Sequence, residues 1–275
     1  MGSRWVAKMG YNQRRCLGCV GSRSREPSGT SKALTHCHSG PARLAEPTVG
    51  TNDLASLTIE NYVKAIYQTC VRQANEPAAT GQLASALRVS PGSVTSMLKT
   101  LGESGLAEYT PYEGVRLTRS GNKLALRVLR RHRLIELFLA QTLDLSWDEV
   151  HEEAENMEHA VSDRLIDRID EFLGKPATDP HGDPIPRADG TIEAMPSLSL
   201  ADASVGNPFE LVRVLDQAPE FLRYLSETGL SLGAQGAVAA NRTEAGIVTV
   251  NVAGEETTLS REVAEKLLVT QTAEL

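Results

Sequence analysis

Between Arg131 and His159 three histidines and three glutamates recur at helical spacing, and this stretch constrains the fold more than any other. His132 and Glu136 are four apart in RHRLIELFLAQTL, so on a helix they stand one above the other. His151, Glu155, Glu158 and His159 follow at i, i+4, i+7 and i+8 in SWDEVHEEAENMEH, which is one face of a second helix. Imidazole nitrogens and carboxylate oxygens on adjacent helices are a ligand set that Mn²⁺, Fe²⁺ and Zn²⁺ accept. A single His–Glu pair on a long helix is usually a solvated face. Residues of this kind in register on two successive helices point instead to a metal site.

The 275 residues suffice for one large domain or two ordinary ones. An aromatic content of 4% beside 41% hydrophobic residues suits a helical, Ala/Leu-rich body. The net charge of −7 is unevenly spread: residues 1–50 carry eight Lys/Arg against Glu26 and Glu46, a local +6 that leaves −13 on the remainder. An acidic body does not forbid nucleic-acid binding, because the local face counts for more than the total. No apolar run approaches ~18 residues, so no membrane span is predicted. The N-terminus lacks an apolar h-region, and four cysteines in so long a chain make no disulfide framework, so the expected compartment is a reducing cytoplasm.

Residues 1–52 are rich in Gly, Ser, Arg and Pro without periodicity and are expected to be a disordered basic extension. Cys16 and Cys19 with His36, Cys37 and His38 outline a zinc knuckle only irregularly. From Leu57 to Arg72 the apolar residues form a helical stripe that includes Cys70 as a small hydrophobe. Thr80 is expected to cap GQLASALRV, and Ser90 to cap PGSVTSMLKTLGES, with Pro91 at the first helical position and Gly105 ending the helix. LAEYT and GVRLT then flank PYEG as two short strands. Two short helices and a hairpin make a winged helix-turn-helix over residues 53–120. Its recognition helix displays Ser90, Ser93, Thr95, Ser96, Lys99 and Thr100 toward bases and phosphates, with Val94, Met97, Leu98 and Leu101 turned inward.

Residues 121–190 read as a helical domain. A long helix opened by Thr118 ends near Leu143, a Ser146–Glu149 capping box starts the next, and Ser162 caps a third that Gly174 and Pro176 stop. DPHGDPIPRADG is turn-rich, His181 in it reads as a turn residue, and residues 191–205 read as linker. After that the period changes. FELVRVLD alternates, PEFLRYLSETG is helical, and AQGAVAANR, GIVTVNVAG and EETTLS read as strands, a small SH3-like β-barrel over 206–275. The expected fold is therefore mainly α: a winged helix-turn-helix, then a helical domain, then the barrel.

VLRRHRLIELFL, WDEVHEEAENMEHAVSDRL and DPHGDPIP carry a resemblance. From about Leu57 to the end the chain resembles the diphtheria-toxin-repressor family of metal-dependent transcription repressors, and within it the manganese transport regulators that keep an SH3-like tail. The resemblance implies a homodimer that reads a palindromic operator when metal is bound, represses metal-uptake genes, and handles no small-molecule substrate. It implies two metal sites per subunit. One uses His132, Glu136 and His151, completed from the barrel by Gln217 and Glu220, with Arg133 placed to bind an anion. The other uses Glu155, Glu158 and His159 with Asn61 of the first helix. Asn61 stands where iron regulators place Met and manganese regulators place Asp, Glu155 replaces an iron-type Cys, and Lys64 takes the place of an acidic ligand. All-oxygen-and-imidazole donors favour Mn²⁺, with Fe²⁺ next.

The residues argue against two other classes. A di-metal carboxylate oxidase needs ExxH pairs on two helices, and Glu155–Glu158–His159 has no second such pair. An iron-transport accessory protein shares only the barrel, and no membrane segment supports it.

Overall fold

In the computed structural model, which describes residues 51–193 and 195–271, the first helix α1 (Thr51–Arg72) begins six residues before its apolar stripe. The expected extension through residue 50, with its Cys and His residues, lies outside the described residues. A turn leads to α2 (Thr80–Leu87), where the cap departs from expectation. Ala79 takes the cap position, and the Gln82 side chain accepts its N–H at 2.8 Å. α3 (Pro91–Glu103) starts as expected, with Ser90 Oγ accepting from Ser93 N at 3.1 Å, and Gly105 follows its end at φ +70°.

The hairpin β1 (Ala107–Thr110) and β2 (Gly114–Leu117) pairs from Ala107↔Leu117 to Thr110↔Gly114. Ala78 adds a third rung by bonding both ways to Val115 at 2.9 and 3.0 Å. That approach leaves no room at Gly114, where a Cβ would lie 2.9 Å from Ala78 O. Val63, Ile66, Leu83, Val94, Leu98, Leu101 and Val115 form the core of this winged helix-turn-helix.

α4 (Arg119–Leu143), capped by Thr118 Oγ1 on Gly121 N at 3.1 Å, runs out of that domain into the next. α5 (Val150–Met157) and α6 (Asp163–Phe172) pack on it through Leu134, Ile135, Leu139, Val150, Ala154, Ile166 and Ile169. Ser146 N and Oγ donate to Glu149 Oε2 at 3.0 and 2.6 Å, but Glu149 rather than Ser146 takes the cap position of α5, without a side-chain cap bond. α5 is shorter than its ligand row: Glu158 and His159 lie in the turn beyond it. Glu158 keeps helical dihedrals and bonds Ala154 O at 2.9 Å, so the face continues past the helix end.

The barrel is a six-stranded antiparallel sheet built from β3 (Leu198–Ser199), β4 (Pro208–Val214), β5 (Gln235–Arg242), β6 (Ile247–Val252), β7 (Glu255–Ser260) and β8 (Leu267–Gln271), in the order β3-β8-β4-β5-β6-β7. α7 (Pro219–Glu227) and α8 (Arg261–Glu265) complete it. The expected linker over 191–205 is corrected here. Leu198 and Ser199 form β3, and Leu200, Ala201 and Ala203 are buried in the barrel core with Phe209, Leu211 and Val250. Small residues in SLSLADA masked a segment whose two leucines face inward.

The segment 179–183 seats the barrel on the helices. His181 O accepts Val214 N at 2.9 Å, Arg213 pairs with Asp183, and Trp147 Nε1 donates to Ser226 Oγ at 3.0 Å. Among the described residues no helix is long and apolar enough to cross a membrane.

Candidate metal centre

Glu136 is fully buried on α4, and its two oxygens face different groups. Oε1 lies 2.9 Å from His132 Nε2 and 3.1 Å from His151 Nδ1, and those two nitrogens are 3.2 Å apart. The i, i+4 spacing on α4 and the start of α5 bring these three together. Oε2 faces Asp179 and His181, with His181 Nδ1 at 3.8 Å.

The second of those groups was not read from the sequence. His181, expected to be a turn residue, is completely buried, and Asp179 is nearly so. Asp179 Oδ1 accepts from the His181 and Asp183 amides at 2.8 and 3.0 Å, which folds the loop tightly enough to aim both side chains inward. His181 Nε2 is 2.7 Å from Trp147 O. A carbonyl only accepts, so Nε2 carries the proton and Nδ1 is left with a free lone pair. Nδ1, Glu136 Oε2 and Asp179 Oδ2 are all buried without a hydrogen-bond partner, and donor atoms of these three residues lie within 4.8 Å of one another.

The electrostatics match an open place for positive charge. Burial, with the Glu136 and Asp183 carboxylates beside it, pushes the Asp179 carboxyl well above its usual range despite Arg133 and the His181 amide. Burial and the Lys64 ammonium press the His132 imidazole down, but Glu136 and Glu158 outweigh them and raise it to about 9. Burial opposes ionisation of Glu136, yet the charge and hydrogen bonds of His132 and the hydrogen bond from His151 hold it well below the carboxylate range.

The other expected site is assembled differently. Glu158 Oε2 is 2.7 Å from His132 Nδ1, and Glu155 Oε1 is 4.0 Å from the same nitrogen. His159 turns toward α1, with Nε2 2.7 Å from Asn61 Oδ1 and Nδ1 2.7 Å from Glu60 Oε2. Glu60 also escaped the sequence reading, although it immediately precedes Asn61. Between the carboxylates lies the Lys64 ammonium, 2.7 Å from Glu155 and 2.8 Å from Glu158.

Three further expected site residues have these surroundings. Arg133 is buried and spent on the loop, donating to Pro184 O at 2.5 Å and Asp183 Oδ2 at 3.3 Å, so its guanidinium is not turned to an anion site. Gln217 donates to Asp183 Oδ2 at 3.1 Å, and Glu220 is exposed on the first turn of α7. The buried group beside Glu136 is instead completed by Asp179 and His181.

On α3, Ser90, Ser93, Ser96, Lys99 and Thr100 are exposed on one side and Thr95 is half-buried. Thr95 Oγ1 donates to Pro91 O at 3.0 Å and Thr100 Oγ1 to Ser96 O at 3.3 Å, leaving a low polar surface over a packed inner face.

The chain matches the iron dependent repressor N-terminal DNA binding domain over residues 55–115, the iron dependent repressor metal binding and dimerisation domain over 118–187, and the FeoA domain over 198–271. An uncharacterized HTH-type transcriptional regulator of Methanocaldococcus jannaschii is 38% identical over 120 residues, 44% of this chain and 95% of that protein. The chain belongs to the iron-dependent repressor family. The iron-dependent repressor IdeR of Mycobacterium leprae is 29% identical over 234 residues, covering 79% of this chain and 98% of its own. A solved manganese-dependent transcriptional repressor in complex with manganese superposes with a TM-score of 0.70 at 38% identity, over 78% of this chain and 100% of that one. Members of this family are metal-dependent, DNA-binding transcriptional repressors that bind operators as dimers, and they are not enzymes.

The Glu136 group of this repressor fits a divalent cation: it offers three buried donor atoms without a hydrogen-bond partner, and burial with the neighbouring carboxylates raises the Asp179 carboxyl above its usual range, so positive charge there is favoured. In the Glu155–Glu158 pair the Lys64 ammonium lies between the carboxylates, while Glu155 also forms a second group of possible ligands with His132 and His151. The fit carries a pH dependence. A coordinating His132 must lose a proton that it holds up to about pH 9, so metal uptake below that pH releases it. Calorimetry in buffers of different ionisation heat is expected to show proton release, with Mn²⁺ affinity rising by about tenfold per pH unit between about pH 6 and 8. A flat affinity over that range would exclude His132 as a ligand.

Proposed function

We propose that this repressor binds a divalent cation, Mn²⁺ first and Fe²⁺ next, at Glu136 with His132, His151, Asp179 and His181. The observation that carries this reading is that Glu136, Asp179 and His181 each bury a donor atom without a hydrogen-bond partner and bring their donor atoms within 4.8 Å of one another. The donors are oxygen and imidazole; Cys70, the one cysteine among the described residues, is packed in the helix-turn-helix core. That set suits hard and borderline metals. Bound there, the cation neutralises the Glu136 and Asp179 carboxylates and joins α4 to the segment that seats the barrel.

The remaining residues do the reading. Two α3 helices of a homodimer enter successive major grooves of a palindromic operator, and Lys99 with the Ser/Thr hydroxyls meets phosphates and base edges. Repression of metal-uptake genes in the cytoplasm follows from a repressor whose corepressor is the imported ion. Titrating the metal-free protein with Mn²⁺ and Fe²⁺ against DNA upstream of its own gene, by fluorescence anisotropy, tests the proposal. Metal-independent affinity would sink it. Thr95→Glu places a negative charge against phosphates and is expected to weaken operator binding at every salt concentration, most at low salt. An unchanged footprint would remove α3 from the groove.

A further inference from the structure

We propose that Lys64 is a tethered cation that permanently occupies the Glu155–Glu158 pair, so that the subunit takes up one divalent metal and not two. The count of one rests on the reading of the Glu136 group as the metal site. Lys64 lies on α1, one turn beyond Glu60 and Asn61, and only 6% of it is exposed. Its Nζ sits 2.7 Å from Glu155 Oε1, 2.9 and 2.8 Å from the two oxygens of Glu158, and 3.2 Å from His132 Nδ1. Three carboxylate oxygens and an imidazole nitrogen around one centre are the surroundings of a coordinated metal ion, and here the centre is a nitrogen with three protons to donate.

Two cations cannot share that point. A divalent ion bound by both carboxylates would face the ammonium at close range inside a buried site. Expelling the ammonium would leave its charge on a side chain that is only 7% exposed. Glu158 is wholly buried, so it cannot follow Lys64 outward, and Glu155 is the only carboxylate of the pair with access to water. The ammonium also joins α1 of the reading head to the turn after α5. In this chain that link is made by a side chain, and the ion acts at the Glu136 group instead.

The test is the number of Mn²⁺ ions held by the full-length, metal-stripped protein, read without DNA by equilibrium dialysis and by the EPR signal of free Mn²⁺. Wild type is expected to bind about one per subunit, and Lys64→Ala about two, with the added site at least about tenfold tighter than any second binding by wild type. Lys64→Arg keeps the charge and is expected to stay at about one. If Lys64→Ala fails to fold by circular dichroism, Lys64→Met preserves the stem and makes the same comparison. A merely structural lysine would lower stability on removal but could not add a metal. Two equal sites in wild type, or no gain in a folded Ala or Met variant, overturns the proposal. A wild type that binds none while Lys64→Ala binds one would remove the Glu136 reading and leave the tethered cation standing.

Discussion

Glu136→Gln is expected to abolish metal-responsive operator binding while leaving a folded dimer. The substitution keeps the side chain's shape but removes the charge on which both donor groups converge. Hard divalent cations gain affinity from each carboxylate, so Mn²⁺ binding should weaken by about two orders of magnitude or more. The imidazole of His132 also loses the neighbour that most raises its proton affinity, and its pKa should fall back toward the ordinary range. Calorimetry and anisotropy with the same protein read the two effects separately. Retained Mn²⁺ affinity within about threefold of wild type would place the metal elsewhere.

Gly182→Ala is expected to be the most damaging single-methyl change in the chain. Gly182 holds φ +84°, and a Cβ there would meet Val212 O at 2.0 Å and Arg213 Cα at 2.7 Å, both backbone atoms of β4 that cannot yield cheaply. Positive φ alone costs an alanine about 1 kcal/mol, and displacing the strand should bring the loss to roughly 3 kcal/mol or more. Gly190→Ala is the control. It shares the positive φ at +88°, but its nearest neighbour is the end of Leu126 at 3.7 Å, so it should cost only about 1 kcal/mol. Urea unfolding of the two variants isolates the effect of the close approach. Because His181 adjoins Gly182, the first variant should also lose metal affinity and the second should not. Equal stabilities would mean that β4 is not held against this loop.

The reading head and the ligand face were legible in the sequence for a local reason. Ser90, Thr118 and Ser162 are caps whose partners lie three residues on, and His132, Glu136 and His151 meet through helical spacing and one helix–helix contact. What escaped depended on distant packing. Asp179 and His181 sit in a Pro/Gly-rich segment that reads as a turn, and they become buried because β4 closes over them. Lys64 departed visibly from the acidic residue expected in its place, but that it lies inside the carboxylate pair depends on how α1 meets the turn after α5. β3, α8 and β8 were missed because their apolar residues find partners only in the core of the folded sheet. Gln217 and Glu220 came from resemblance alone, and Gln217 donates to Asp183.

Glu136 serves two sets of neighbours with one carboxylate, and that has a thermodynamic consequence. Whatever binds at Asp179 and His181 draws electron density toward Oε2 and loosens the proton that Oε1 helps to hold on His132. Linkage is reciprocal, so binding at the barrel side and proton binding at His132 change each other's affinity by the same factor. The reading head and the barrel, which share no strand and no helix, are in this way made to weigh on each other through a single side chain.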